Sequence, residues 1–507
     1  MTRASRLTHP AAILGLLALA IHAFANQHYD FFRDELYFIV CGRHPAWGYV
    51  DQPPLVPLIA GLADWAAPGS LLALRAMPAL MSALNIAGAV LLTRRLGGGV
   101  FAQWLAGLCV LLAPFDLAIG ALLDTDIFQP LAWIGCAWVL IDILEKGDQR
   151  RWLLIGAITG FALWSKYMIL FDLVALALVM PFTPLRRSFL TPWPYLAGLI
   201  AAVIIAPNVI WQWSHGWPFL ELGANGASGK NIALSLPDYL LSEVVLFGPA
   251  NAIVWIAALL GLGFFRRWRL YRIFALQYAV FVVMEVALHG KDYYAAALYP
   301  PLFAFGATVI ETTVSRAALR GALAAAVVAL GLIAMPMAIP ILPVDRFVAY
   351  ERALGYTPAP METRALSDLP QQYADMFGWR EMARQVSQAY WALPEEERAK
   401  AVFAANNYGE AAAVDVFGAN DNGQRLPPSI SGHNNYFIWG PRGHDGSVVI
   451  RVTSKPEAAK ESYGQVDIVG QLNDPHAMPD EAHLYVVVCR GRKSSLIADW
   501  PQFKNYN

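Results

Sequence analysis

AAILGLLALAIHAFANQHYDFFRDELYF, residues 11–38, joins an apolar run to a charged, aromatic segment. Before Asp30 the run carries no charged side chain apart from histidine. Asp30, Arg33, Asp34 and Glu35 then fall close together. Anchoring a chain in a bilayer does not require three carboxylates and an arginine beside the first apolar helix. The segment reads as a loop that carries chemistry, leaving a membrane helix. A second motif, GYVDQPPL at 48–55, follows it.

The bulk composition agrees with a membrane setting. The chain has 507 residues, 57% hydrophobic and 15% charged, with a net charge of -1. A soluble domain carries about a quarter charged residues. The deficit and the long apolar runs predict a polytopic α-helical membrane protein. Eleven apolar segments are expected, near 10–26, 72–93, 100–117, 127–144, 152–168, 169–183, 193–212, 238–264, 270–289, 293–312 and 320–341. A bilayer core needs about 20 helical residues, so the segments between 152 and 183 read as broken or tilted helices.

Basic residues recur at every second turn: Arg94-Arg95, Lys146 with Arg150-Arg151, Arg186-Arg187, Arg266 to Arg272, and Arg316 with Arg320. The opposite turns hold only Arg33, Arg43, Arg75, Lys230 and Lys291. The positive-inside rule then predicts a cytosolic N-terminus and places loop 27–71, and everything after about 342, outside. Arg3 and Arg6 ahead of the first run read as an uncleaved signal-anchor. The expected division is a transmembrane domain, 1–344, including the outer loop 27–71, and an extracytoplasmic domain, 345–507.

Within the outer loop, 31–40 and 54–65 are spaced as short interfacial helices, with Trp47, Tyr49 and Trp65 expected at headgroup depth. In the C-terminal region, 369–393 reads as an amphipathic helix and 408–417 as a helix opened by the Asn406-Asn407 turn. Segments 447–453, 465–469 and 484–489 read as strands, and 400–405 as a short apolar run. A small soluble α/β domain follows. Cys41, Cys109, Cys136 and Cys489 show neither a CxxC pair nor zinc spacing, and no metal is indicated. Cys109 and Cys136 read as small hydrophobes. A Cys41–Cys489 disulfide requires both to lie outside the cytosol.

Four sets of residues are candidates for chemistry. Asp34-Glu35 supplies a general base or an orienting pair, or a solvated charge with Arg33 as a weak partner. Asp124 and Asp126 flank a turn where one carboxylate serves as a helix cap and the second is unexplained. Lys166, in LWSKYMI, falls within a predicted span, where a lysine is either functional or snorkels to the interface. Lys291 with Tyr293 and Tyr294 suits a phosphate that carries an apolar tail, although an aromatic belt accounts for the tyrosines alone. Glu285 and His289 share a helix face and read as a structural pair. Neither a P-loop nor a Rossmann fingerprint is present, and no nucleic-acid partner is expected.

RDELYF (33–38), GYVDQPPL (48–55), LWSKYMI (163–169) and GKDYYAAALYPP (290–301) occur in an order that resembles the GT-C membrane glycosyltransferases of the dolichyl-phosphate-mannose-protein mannosyltransferase type, family 39, with the lipid A aminoarabinose transferases as relatives. LPQQYADMFGW (369–379), NNYGEAAAVDVFG (406–418) and SGHNNYFIWGP (431–441) resemble the outer domain of a subgroup. The resemblance implies inverting transfer of a sugar from polyprenyl phosphate, undecaprenyl phosphate in bacteria, to a lipid, glycan or protein acceptor outside the cytosol. It implies that Asp34 is the catalytic base and that Glu35 supports it. Tyr49, Lys166, Lys291, Tyr293 and Tyr294 would contact the donor, and Asp126 falls where relatives carry a polar or acidic residue. Gln52 stands where aminoarabinose transferases carry a lysine. That speaks against a lipid A substrate and leaves the cation to Lys166, Lys291 or Arg33. A bacterial inner-membrane enzyme without a cofactor is expected. Two other readings use the same residues: a transporter of lipid-linked sugars, with Lys166, Asp172 and Glu285 along its path, and a non-catalytic protein binding glycan through Asn406, Asn407, His433, Asn434 and Asn435.

Overall fold

The computed structural model describes residues 9–229, 232–356 and 367–507. Arg3 and Arg6, expected to begin a signal-anchor, and the outer-loop cation Lys230 lie outside them. The described chain separates into two compact units. One comprises 9–28, 75–211 and 232–343; the other comprises 29–74, 212–229, 344–356 and 367–507. The first outer loop therefore belongs to the same unit as the C-terminal region.

The first unit is helical, and its interior is packed with side chains such as Leu14, Ile86, Leu105, Trp133, Phe281 and Phe303. Among the described residues, six helices are long and apolar enough to cross a membrane: Leu71–Arg95, Asp126–Lys146, Trp193–Ser214, Arg266–Leu288, Asp292–Thr313 and Ala317–Ala338. Three further pairs are bent: Val100–Leu112 with Pro114–Ala121 by 59°, Ile169–Phe182 with Pro184–Leu190 by 103°, and Leu236–Phe247 with Pro249–Phe264 by 116°. The chain is a multi-pass membrane protein, and among the described residues six helices, or nine if each bent pair is one span, have the length and composition to cross a membrane, beside the eleven apolar segments read from hydropathy. Each break places a proline at the start of the second helix, where the missing N–H and the ring clash end the first. The predicted 238–264 segment is accordingly two helices, and 152–168 is helical only over Trp152–Ala162.

In the second unit, Arg33–Arg43 and Leu55–Ala66 are helices, as the spacing of their apolar residues predicts. They cross in backbone contact. A Cβ on Gly42 would lie 2.5 Å from the Gly61 nitrogen, and one on Gly61 would lie 2.8 Å from the Gly42 carbonyl oxygen. Arg43 fixes the crossing by donating from Nε to Asp64 Oδ2 at 2.9 Å and from Nη2 to Asp64 Oδ1 at 3.2 Å. Trp47 and Trp65 are exposed, but Tyr49, also expected at headgroup depth, is buried. Its hydroxyl donates to the Cys41 carbonyl at 2.9 Å and so finishes the 33–43 helix.

The C-terminal region folds around a mixed sheet of five strands: β1 (Ala401–Ala405), β2 (Ile430–Ser431), β3 (Val448–Thr453), β4 (Tyr463–Asn473) and β5 (His483–Arg492). Their order is β2-β1-β3-β5-β4. β1 pairs in parallel with β2 and β3, and β5 pairs antiparallel with β3 and β4. Val402, Ile430, Val449, Val487 and Cys489 form an apolar layer on the sheet. The apolar run at 400–405 is thus the strand β1. The expected 369–393 helix is two helices, Gln371–Ala374 and Trp379–Trp391, with a turn between them. Tyr408–Phe417 is a helix with the expected bounds, and Asn407 Oδ1 caps it by accepting from the Glu410 N–H at 3.0 Å. All four cysteines are free and buried, so Cys41 and Cys489 form no disulfide.

The Gly42–Gly61 crossing has no room for a methyl group. Gly42→Ala is expected to destabilise the protein by ~1–3 kcal/mol, the range for overpacking. A lowered thermal unfolding midpoint in detergent, with no such drop for alanine at Gly223, a helical glycine with open space around it, checks this.

Candidate functional site

Two clusters of polar side chains stand out, one in each unit. In the membrane unit, Lys166 lies in the non-helical link between Trp152–Ala162 and Ile169–Val179, not inside a span. The helix ends at Ala162, and Gln129 Nε2 bonds the Ala162 carbonyl at 3.2 Å. This early stop frees the lysine to turn toward Asp126, whose two carboxylate oxygens it reaches at 2.8 and 2.7 Å. Asp126 is its partner. The ammonium also lies 5.4 Å from the ring centre of Tyr293 and 5.1 Å from that of Tyr294. Lys291 sits 5.7 Å from the same Tyr293 ring. Two lysines therefore approach one aromatic ring. Such contacts are each worth about 0.5–2 kcal/mol, more when desolvated.

The two carboxylates of the 124–126 turn have separate tasks. Asp124 Oδ1 accepts from the Asp126 N–H at 2.8 Å and from the Thr125 hydroxyl at 3.2 Å. It shapes the turn that opens the 126–128 helix. Asp126 is left to hold Lys166. The sequence explained one acidic residue as a cap, and the second is the ion-pair partner.

In the outer unit, Asp34 lies on the first turn of the 33–43 helix. Its Oδ1 accepts from the Tyr408 hydroxyl at 2.7 Å and lies 3.5 Å from Arg33 Nε. The Arg33 guanidinium stacks 5.1 Å from the centre of the Tyr408 ring. Glu35, next in the chain, is fully buried. Its Oε2 accepts from the Phe32 N–H at 3.0 Å, closing the N-terminus of its own helix. Of the adjacent pair, Glu35 builds the helix end and Asp34 faces outward from it.

Asp51, which the sequence did not single out, forms a parallel arrangement. Tyr37 donates to Asp51 Oδ1 at 3.1 Å, and Asn434 Nδ2 donates to Oδ2 at 3.1 Å. The Tyr37 and Tyr408 rings are 4.7 Å apart. Burial, reinforced by the charge of Asp34, pushes the Asp51 carboxyl up to about 7. Asn435 Oδ1 accepts from the Val50 N–H at 2.7 Å. The SGHNNYF motif is thus a clamp on the 48–51 loop. Asn434 is held at a φ of 46°, a strained conformation for a side chain of any size. Gln52 is buried, and neither atom of its amide has a hydrogen-bond partner among the described residues. Tyr49 is committed to the backbone of its own loop. Among the described residues no group of three or more His, Cys, Asp or Glu side chains is arranged to hold a metal ion.

Comparison with known proteins supplies the frame for these clusters. A family model described as dolichyl-phosphate-mannose-protein mannosyltransferase matches residues 51–211. No curated protein matches the chain. The crystal structure of ArnT from Cupriavidus metallidurans bound to undecaprenyl phosphate superposes with a TM-score of 0.62 at 13% identity, covering 94% of this chain and 97% of that one. The apo state of the same protein gives 0.58 at 14% identity with the same coverage. The chain has the ArnT-like GT-C fold.

The fold favours the protonated form of Asp51, so its contribution is complete below the ordinary aspartate range and is lost as pH rises through about 7. Thermal stability is expected to fall between about pH 4 and pH 7, by on the order of 2 kcal/mol after allowance for partial solvent access. Asp51→Asn should flatten that slope. Unfolding midpoints of both proteins across this range check it.

Proposed function

We propose that this chain is an inverting glycosyltransferase that moves a sugar from a polyprenyl-phosphate donor to a hydroxyl acceptor on the outer face of a bacterial inner membrane. The observation that carries the reading is the pair of lysines, Lys166 and Lys291, meeting at Tyr293 in the membrane unit. A cation pair beside aromatic rings suits a phosphate whose tail is hydrocarbon. The family model over 51–211 and the fold shared with a protein crystallised with undecaprenyl phosphate support the same donor class.

Each step assigns work to a named group. The bond between the anomeric carbon and the donor phosphate oxygen breaks, and polyprenyl phosphate leaves with the electron pair. Negative charge grows on that oxygen, and Lys291 and Lys166 meet it. Cations placed in advance in a dry site lower such a barrier without reorganising. Asp126 holds the Lys166 ammonium in place before the donor arrives. The acceptor hydroxyl displaces the phosphate with inversion at the anomeric carbon and loses its proton, and Asp34 is the base assigned to take that proton. Arg33 lies beside the base and Glu35 supports its helix. Tyr49 shapes the loop that ends in Gln52, and Gln52 adds polarity without charge where a lysine is found in aminoarabinose transferases. The sugar is delivered on a lipid, so the reaction needs no nucleotide site.

Asp34→Asn keeps the shape and removes the base. A general base contributes about 10²–10⁴-fold, so turnover should fall by at least about 10²-fold with unchanged membrane insertion. Purified protein, incubated with polyprenyl-phosphate sugars and acceptors extracted from its own membranes, is assayed for release of polyprenyl phosphate. Undiminished release by the variant rules out Asp34 as the base; no release by the wild type rejects the reading.

A further inference from the structure

We infer that Tyr408, from the C-terminal region, is a positioning residue for Asp34, which makes that region a component of the catalytic centre. The inference rests on the reading of Asp34 as the base. Tyr408 is 374 positions from Asp34 in the sequence, and its hydroxyl donates to Asp34 Oδ1 at 2.7 Å. Arg33 Nε approaches the same oxygen. Among the described residues no hydrogen bond reaches Oδ2. One carboxylate oxygen is anchored and the other remains to take a proton.

Several features hold the phenol in this position. Asn407 caps the helix that Tyr408 begins. The Tyr408 N–H donates to His433 Nδ1 at 3.4 Å. Its ring lies 4.7 Å from the Tyr37 ring and 5.1 Å from the Arg33 guanidinium. The next residue must be glycine, because a Cβ at Gly409 would lie 2.7 Å from Arg33 Cδ. The other end of Arg33 is fixed as well: its N–H donates to the Asp375 carbonyl at 3.0 Å, and Trp379 Nε1 donates to the same carbonyl at 2.7 Å. The charged and titratable groups around the phenol are Arg33, Asp34, Asp51, His433 and Asp375. Burial pushes the phenol well above its ordinary range, opposed by Arg33 and reinforced by Asp34. The hydroxyl therefore keeps its proton and acts as a donor.

A donor to one carboxylate oxygen fixes the rotamer, so the free oxygen points one way. A tyrosine present only for packing does not, and Tyr408→Phe separates the two roles because it keeps the ring and removes the hydroxyl.

The test uses the full-length protein. Tyr408→Phe is expected to lower kcat for polyprenyl phosphate release by about tenfold, the scale of one hydrogen bond to a charged group, with KM for the donor unchanged. The thermal midpoint of Tyr408→Phe should stay within experimental error of wild type. Because the hydroxyl acts through Asp34, adding Tyr408→Phe to Asp34→Asn should lower the residual kcat little further. An unchanged kcat in Tyr408→Phe, a loss that adds in full to that of Asp34→Asn, or a loss matched by loss of folded protein overturns the inference, whereas no release by the wild type rejects glycosyl transfer itself.

Discussion

Lys166, largely buried in a link between two apolar helices, is paired with both oxygens of one carboxylate. An unpaired ammonium there would lose its hydration with nothing in return, whereas a pair of good geometry is tolerated. The local structure around it follows from meeting that requirement. The 152–162 helix stops early so that the lysine can leave the helical path. Asp124 shapes the turn that presents Asp126. Tyr293 and Tyr294, at the start of another helix, offer ring faces to the ammonium, and Lys291 joins them there. What results is an aromatic place where two ammonium groups are gathered, one of them fixed by its own ion pair with Asp126.

The outer unit solves a different problem, which is to keep carboxylates available without letting them wander. Asp34 and Asp51 are each tied by a tyrosine hydroxyl, and the two rings lie against each other. Glu35 and Asn434 do the structural work beside them, one closing a helix and one bending the chain into a strained turn that reaches Asp51. The Gly42–Gly61 crossing sets the two short helices close enough for the 48–51 loop to return to Tyr37. The C-terminal α/β region supplies Tyr408, Asn434 and Asn435 to these contacts. Its loops are therefore committed to the same residues that the sequence marked as chemical.

Much of this was legible in the chain because hydropathy and residue spacing report local structure. The 33–43, 55–66 and 408–417 helices and three of the five strands can be read that way. The number of spans cannot, since an apolar run looks the same whether it is one straight helix or two joined at Pro114, Pro184 or Pro249. β1 escapes notice because 400–405 is too short to show alternation. At the site, Asp34, Lys166 and Lys291 announce themselves as charges where charge is unexpected. Asp51 and Tyr408 do not, because their meaning lies in partners distant in sequence. Tyr49 looks like an interfacial aromatic until its hydroxyl is seen to close a loop. The HNN run at 433–435 carried a signal in its polarity, and a glycan-binding surface was one way to read it; the structure uses Asn434 and Asn435 as a loop clamp.

In the proposed reaction a sugar leaves a polyprenyl phosphate and arrives on an acceptor outside the cytosol. The most direct measurement is mass spectrometry of lipid-linked sugars and envelope glycans from cells with and without this protein. Removal of the protein is expected to make one polyprenyl-phosphate sugar accumulate while one envelope species loses the same sugar. Unchanged pools of both, or a donor lipid that redistributes across the membrane with no acceptor losing a sugar, would contradict it.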